Sequence, residues 1–566
     1  RKRRRRYPGS TRFTTRLCAC GIGEWTPDGP AGLRGDVKQA KDELPGTNPI
    51  PGSVMNNAAT MQLGELSEEA LRDLAQALAP RLRAGDFLAL SGDLGAGKTT
   101  FARFLIRALV EREDEEVPSP TFSLVQPYET PRFAIHHFDF YRLSGPDAAA
   151  ELGVEEALAA GIVIAEWPDR LQGRLPADRL DITFAEEQQA DRRRVTLEGR
   201  GSWGSRLDRF LTIRRFIEQA GWSDANPSYL NGDASVRGYT RLRRQDGSAL
   251  MMDWPRAPDG PPIRGNRPYS QIAHLAEDVR PFMAIAAALS WTGLAAPEIT
   301  VWDMTFGLLL LEDFGDLTFT RLAGEGADLA PLYRTAVDAL LILRGRPPEP
   351  VLSSGGATHI LPDYDREALC IETELVPDWL LPAISGHETP SELRTEFSAL
   401  WAEQFDWLVK QPTGWVLRDF HSPNLIWRPE RQGLARLGII DFQDALRGHP
   451  AYDLVSLLQD ARLDLPGGLE AELLTYYCDE AAKAEPGFDR TGFLRAYHLL
   501  GAQRATKILG IFTRLARRDG KRAYLQHMPR VARYLAANLA DPDLAKLKSW
   551  YEREVPQELE GIAARL

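Results

Sequence analysis

Two runs of residues have the types and spacing to do chemistry on phosphate. The first is Gly92-Asp-Leu-Gly-Ala-Gly-Lys-Thr99. Its glycines let backbone N–H groups turn inward around phosphate oxygens, Lys98 can reach the outer phosphates, and the Thr99 hydroxyl can bind magnesium. The residues expected on the nucleotide are Gly92, Gly95, Ala96, Gly97, Lys98, Thr99 and Thr100. The flanks suit this use: Asp86-Phe-Leu-Ala-Leu-Ser91 reads as a short buried strand, and Phe101, Phe104, Leu105, Ala108 and Leu109 share one face of a following helix. Such a site also needs an acid at the end of a later strand, and Gly161-Ile-Val-Ile-Ala-Glu166 provides Glu166 beside the metal. Between them, Phe133 to Tyr141 alternates so that His137 and Asp139 share a face, where the pair could poise water.

The second run is Trp415-Val-Leu-Arg-Asp-Phe-His-Ser-Pro-Asn-Leu-Ile-Trp427, followed by Leu437-Gly-Ile-Ile-Asp-Phe-Gln443. An Asp with an Asn five residues on, a hairpin-length gap and an apolar strand ending in Asp resembles the layout of protein-kinase-like phosphotransferases. Asp419 can accept the proton of an acceptor hydroxyl, while Asn424 and Asp441 approach from adjacent strands to hold magnesium. Upstream, Gly232 to Leu242 resembles a nucleotide-covering hairpin, and Leu308-Leu-Leu-Leu-Glu-Asp-Phe-Gly315 a strand entering the hinge, with Glu312 and Asp313 where adenine would bind. Kinases of this kind carry a phosphate-binding lysine on the third small-lobe strand, yet no lysine occurs between Lys98 and Lys410. Arg237 or Arg241 is the nearest cation that could replace it. Gln503, Arg504, Lys507 and Arg514 belong to a terminal helical part that covers the large lobe, where they either touch substrate or face solvent. His421 and His449 read as loop-packing residues rather than metal ligands.

The surrounding chain must supply two frames for these runs. With 566 residues it is too long for one core, so two domains are expected. Its 43% hydrophobic and 26% charged residues are those of a globular protein, with no apolar run near the ~20 residues of a membrane span. Cys18, Cys20, Cys370 and Cys478 are too few and scattered for a disulfide scaffold, which fits a cytoplasmic setting. Residues 1–60 hold 11 Lys+Arg against 5 Asp+Glu and are rich in Gly and Pro, so they read as a disordered basic leader, with Met55 and Met61 as plausible starts of the structured part. The acidic remainder, 57 basic against 74 acidic residues, is poorly suited to gripping a polyanion alone. A helix is expected from a Ser67 cap through Leu82. Residues 185–210 are polar, with Arg192 to Leu197 as a last edge strand, which puts the border near 205–212 after a short linker. The expected architecture is an α/β P-loop NTPase domain over 61–208 followed by an α+β, two-lobed kinase-like domain over 209–566.

The first region is similar to the TsaE family in four ordered motifs: Gly92 to Thr100, Pro118-Ser-Pro-Thr-Phe-Ser-Leu124, His137 to Leu143 and Glu166-Trp167. The resemblance implies an ATPase that works with a threonylcarbamoyl-transferase subunit and its partner in making threonylcarbamoyladenosine at position 37 of tRNA, with tRNA held mainly by those subunits. It implies Thr99 and Glu166 on magnesium, Asp139 assisting hydrolysis and a switch-like Ser119 to Phe122. The second region resembles the aminoglycoside phosphotransferase superfamily through Gly232-Asp-Ala-Ser, Leu417 to Asn424, Ile440-Asp-Phe-Gln-Asp-Ala445 and Gly448-His-Pro-Ala-Tyr-Asp-Leu454. Within it the chain is most like kinases of the AmgK type. That implies ATP, magnesium and transfer to the anomeric hydroxyl of N-acetylmuramate or N-acetylglucosamine in cell-wall recycling. Two alternatives stay open on sequence: an aminoglycoside kinase, and a non-catalytic nucleotide-binding module.

Overall fold

The computed structural model describes residues 58–143, 151–186, 192–230, 237–256 and 260–556. The expected leader up to Asn57, with Cys18, Cys20 and Met55, lies outside the described residues, as do Asn231 to Val236 of the covering hairpin. The last leader residues, Ala58 to Thr60, instead open a strand, β1 (Ala58–Leu66). That strand has no clean apolar alternation and is held by its pairing with a distant partner.

The first sheet adds β2 (Phe87–Ser91), β3 (Val125–Glu129), β4 (Ala134–Asp139), β5 (Gly161–Glu166), β6 (Arg179–Glu186) and β7 (Arg193–Arg200), in the order β1-β7-β6-β2-β5-β4-β3. β6, β2, β5 and β4 run parallel, with antiparallel strands at both flanks. β2 and β5 read as unbroken apolar runs because both of their faces are covered. The expected edge strand at Arg192 to Leu197 forms as β7, but β1 pairs outside it and takes the edge. On one face lie α1 (Glu68–Leu78), capped by Ser67 accepting from Ala70 N at 3.2 Å, and α2 (Lys98–Val110); α3 (Val154–Ala160) packs on the other.

The expected short linker is a helix. α4 (Trp203–Gln219) runs unbroken through the 205–212 border. Its first half buries Trp203, Leu207 and Phe210 in the first core, and its second half buries Ile213 and Phe216 against Leu242, Ala249, Met251, Leu308 and Leu310 of the next sheet. Gly199 allows the helix to start this close to β7, since a Cβ there would meet Trp203 O at 2.3 Å.

That next sheet is antiparallel: β8 (Asn226–Leu230), β9 (Gly238–Arg244), β10 (Gly247–Asp253), β11 (Ile299–Asp303) and β12 (Leu308–Glu312), ordered β11-β12-β10-β9-β8. Alternation on β12 sends Leu308 and Leu310 toward α4, and Leu309 and Leu311 into the core that holds α5 (Val279–Trp291). The remainder is mostly helical, with three short ribbons: Val351–Ser354 with Ala357–Ile360, β13 (Gly414–Val416) with β16 (Leu446–Gly448), and β14 (Leu425–Trp427) with β15 (Leu437–Ile439). Under them lie α6 (Ala451–Leu458), α7 (Arg490–Asp519) and α8 (Met528–Asn538).

Side chains also join the two halves. Arg81 donates to Asp253 Oδ2 at 3.2 Å and to Thr240 Oγ1 at 2.8 Å, and Arg209 Nε donates to Asp253 Oδ1 at 3.0 Å. Arg132 stacks over the Tyr229 ring at 3.9 Å. Arg81 and Arg132 precede β2 and β4, so these contacts fall at the N-terminal ends of the parallel strands. The glycine loop opens at the opposite edge, where open α/β sheets bind ligands.

Candidate functional sites

At the C-terminal end of β2 the chain turns through Gly92, Gly95 and Gly97, all at positive φ, and enters α2 at Lys98. Gly92 is required twice over: its φ is 141°, and a Cβ would meet Phe184 O at 2.3 Å. Ala96 is fully buried, and Thr100 is half-buried in the first turn of α2. Lys98 Nζ donates to the carbonyls of Gly92 and Asp93, both at 2.8 Å, and lies over the Trp167 ring at 3.9 Å. Burial pulls its ammonium pKa down, against the opposing pull of Glu166, Asp139 and Asp93.

β4 and β5 run in register, with Asp139 beside Glu166 at their ends. Thr99 Oγ1 donates to Glu166 Oε2 at 2.8 Å, and His137 Nε2 meets Glu166 Oε1 at 2.9 Å. Asp139 accepts from Ser119 at 3.0 Å and Thr121 at 2.6 Å, both of the switch-like segment, and from Tyr141 N at 3.0 Å. The structure therefore brings Lys98, Thr99, His137, Asp139 and Glu166 together. A hydroxyl and a carboxylate sharing one point form an oxygen donor set that suits magnesium.

In the second half, β13 leads into the loop that carries Asp419. His421 N bonds to Asp419 O at 3.1 Å, Ser422–Asn424 form a tight turn, and Ile440 N bonds to Asn424 O at 3.1 Å. Asn424 Nδ2 donates to Asp419 O at 3.0 Å and to Asp441 Oδ2 at 3.3 Å. Its other amide atom, Oδ1, accepts no hydrogen bond among the described residues, so amide and carboxylate oxygens are available together to a hard cation. Arg418 and Asp441 hold left-handed φ values of 68° and 62°, strain of the kind that marks functional loops. Burial opposes ionisation of Asp419, yet His421, Lys507 and Arg504 hold its carboxyl well below the usual range. Asp419 thus faces the cleft as a carboxylate.

The remaining candidates fall in different places. Arg237 donates to Asp441 Oδ1 and to Gln443 Oε1, both at 2.5 Å. Arg241 is bound instead by Asp313 at 2.8 Å and Asp316 at 2.7 Å. Glu312 receives Arg428 at 2.6 Å. The carboxylates of Glu312 and Asp313 thus brace the hinge through ion pairs. β10 buries Met251 and Met252 completely and sends no cation into the cleft. His421 Nε2 sits 3.8 Å from Asp419 Oδ1, and His449 accepts from Ala451 N at 3.2 Å while burial lowers its pKa to about 3.

Several residues that hold the loop were not singled out from sequence. Asp453 on α6 accepts from Leu417 N at 2.6 Å and Arg418 N at 3.0 Å, and burial raises its pKa to about 7. Its position inside the Gly448-to-Leu454 run was the available signal. Asp460 accepts from Ser422 N at 2.9 Å. Beneath the loop, fully buried Glu372 binds Arg418, Tyr364, Gln503 at 2.9 Å and Lys507 at 2.9 Å. Burial would raise its pKa, but Lys507 and Arg418 hold it at about 2. Nothing local in the sequence marks Glu372.

Residues 66–195 match the family described as threonylcarbamoyl adenosine biosynthesis protein TsaE, and residues 228–494 the phosphotransferase enzyme family. The chain is 41% identical over 352 residues to an N-acetylmuramate/N-acetylglucosamine kinase of Caulobacter vibrioides, spanning 61% of this chain and 96% of that protein. A kinase of the same description from Pseudomonas aeruginosa is 35% identical over 339 residues, 58% of this chain and 89% of its own. The tRNA threonylcarbamoyladenosine biosynthesis protein TsaE of Rickettsia bellii is 40% identical over 118 residues, 21% of this chain and 81% of that protein. No helix among the described residues is long and apolar enough to cross a membrane. One polypeptide thus joins two enzyme families: the chain belongs to the TsaE family through its first folded region and to the N-acetylmuramate/N-acetylglucosamine kinase family of phosphotransferases through its second.

Proposed function

We propose that this is a bifunctional cytoplasmic protein whose first half hydrolyses ATP in support of tRNA N6-threonylcarbamoyladenosine formation and whose second half phosphorylates the anomeric hydroxyl of N-acetylmuramate or N-acetylglucosamine. The observation that carries the kinase reading is the grouping of Asp419, Asn424 and Asp441 at one cleft. In that reaction Asp419 accepts the proton of the sugar hydroxyl as its oxygen bonds to the γ-phosphorus, and the bond from that phosphorus to the β-phosphate oxygen breaks to leave ADP. Asn424 and Asp441 would hold magnesium, which neutralises charge on the transferred phosphate. His421, Lys507 and Arg504 keep Asp419 ionised, and Asp453 fixes the loop that presents it.

In the first half, Thr99 and Glu166 would hold magnesium, the backbone of Gly95 to Thr100 would cradle phosphates, and Asp139 would orient the attacking water. The threonylcarbamoyl-transferase subunit and its partner would dock on this half, with tRNA reached through them. The small-lobe contacts lie at the opposite strand ends from the glycine loop, which supports simultaneous engagement.

The test is phosphate transfer from labelled ATP to a panel of N-acetylated sugars and aminoglycosides by the intact chain, Lys98→Ala and Asp419→Asn. Transfer to an N-acetylated sugar that survives Lys98→Ala and vanishes in Asp419→Asn is expected. Labelling of aminoglycosides alone, or of no acceptor, overturns the kinase reading. Separately, the intact chain with the two partner subunits should hydrolyse ATP, and Lys98→Ala should not.

A further inference from the structure

The paired strands β6 and β7 are built against both ends of the glycine loop. A Cβ on Gly92, its first glycine, would meet Phe184 O at 2.3 Å, and one on Gly97, its last, would lie 3.8 Å from Cγ and Nε of Arg193. Alternation along β7 puts Arg193 on the face of Val195 and Leu197, which are buried in the core that α2 covers. Arg193 follows them on that face, half-buried at the end of the sheet where α2 begins. Its Nη1 donates to Arg192 O at 2.8 Å, which ties the side chain back to its own strand. The guanidinium and the positive end of α2 thus converge on one point, and an anion there is drawn by both.

The side on which Arg193 stands selects the anion. In the sheet β2 lies between β5 and β6. Thr99 donates to Glu166 at the end of β5, and Asp139 lies beside Glu166 at the end of β4, so the proposed magnesium and attacking water belong to that side. β6 and β7 are on the other. A triphosphate whose γ-phosphate meets the magnesium pair, and whose β-phosphate fills the loop, directs its α-phosphate toward β6 and β7. We infer that Arg193 binds the α-phosphate of the nucleotide held by the glycine loop and so anchors the end that does not react. This rests on the ATPase reading of the first half. A planar guanidinium can give a phosphate two donors at once, and because ADP carries the same α-phosphate, the contact holds product as firmly as substrate.

The experiment measures equilibrium binding of labelled ADP and of a labelled non-hydrolysable ATP analogue to the full-length chain, unaltered and as Arg193→Met and Arg193→Lys. The binding that Lys98→Ala removes is taken as the glycine-loop site. Loss of a charge-assisted pair predicts that Arg193→Met raises the dissociation constants of both nucleotides there by the same factor, about tenfold. Nucleotide bound at the kinase cleft should be unaffected, which shows that the variant is folded. Arg193→Lys, which keeps the charge and loses the fork, should fall between, and it provides the test if the Met variant does not fold. A loss for the ATP analogue alone would put the guanidinium on the γ-phosphate and overturn the inference, and unchanged constants overturn it as well. If Lys98→Ala removes no binding from the unaltered chain, the ATPase reading itself fails, and this inference with it.

Discussion

Arg237 Nη2 donates to Asp441 Oδ1 at 2.5 Å, so a cation from the base of the nucleotide-covering hairpin rests on a carboxylate proposed to bind magnesium. With no lysine on β10, Arg237 is the cation proposed to pass from Asp441 to the phosphates when nucleotide enters. Arg237→Glu should therefore raise the kinase KM for ATP by about tenfold or more, because it puts a negative charge beside both Asp441 and the phosphates. Hydrolysis at the glycine loop should be unchanged. An unaltered KM would leave the phosphates without their proposed partner.

The two nucleotide sites should fail independently. Glu166→Gln keeps the size of the side chain but removes the charge shared by Thr99 and His137, and should abolish ATP turnover by the first half. Sugar phosphorylation should stay within about twofold, since Glu166 touches nothing in the kinase lobes. Parallel loss of both activities would reveal coupling.

Glu372→Gln leaves Arg418 and Lys507 buried beneath the loop without their carboxylate. Breaking a buried ion pair from one side costs about 3–5 kcal/mol, so urea unfolding should shift strongly. The pH dependence has a definite sign. A folded pKa of about 2 means that the contribution of Glu372 is complete above its unfolded value and is lost as pH falls through 2. The unaltered chain should show that acid-side loss, and Glu372→Gln should not.

Asp453 predicts the opposite slope. Its pKa of about 7 lies above the unfolded value, so its contribution is full at low pH and declines as pH rises toward 7. Asp453→Asn should flatten stability between about pH 4 and 7. It also loses one acceptor for Leu417 N or Arg418 N, so kcat should fall as Asp419 loosens. A variant with unchanged kcat would show that the loop is held without this clamp.

Arg81→Ala with Arg209→Ala removes both cations from Asp253, which is 14% exposed at its side chain. A loss of about 1–3 kcal/mol is expected, the cost of leaving a largely buried acceptor unpaired. Thermal unfolding of the double variant checks this.

The groups proposed to react were legible in the sequence because phosphate chemistry fixes local spacing. Gly92 to Thr99 and Asp419 to Asn424 each fit within eight residues, and Asp441 follows one short hairpin. Their supports were harder to see because they arrive from far along the chain: Glu372 lies 46 residues from Arg418, and Asp453 lies 36 from Leu417. β1 went unseen because it lacks an apolar period, and its partners are set by pairing with β7. α4 was masked differently. Trp203, Leu207, Phe210, Ile213 and Phe216 do carry a helical period, but Gly199, Gly201 and Gly204 beside them made the stretch read as a connector.

That helix has a consequence for biosynthesis. A chain emerging residue by residue cannot complete its first core until Trp203, Leu207 and Phe210 have left the ribosome, and those residues bring Ile213 and Phe216 with them. The first domain to fold therefore presents an apolar half-helix to solvent until β9, β10 and β12 are made. The kinase lobe begins to assemble on a template its predecessor has already set, and a truncation after Gln219 should be aggregation-prone for want of that cover.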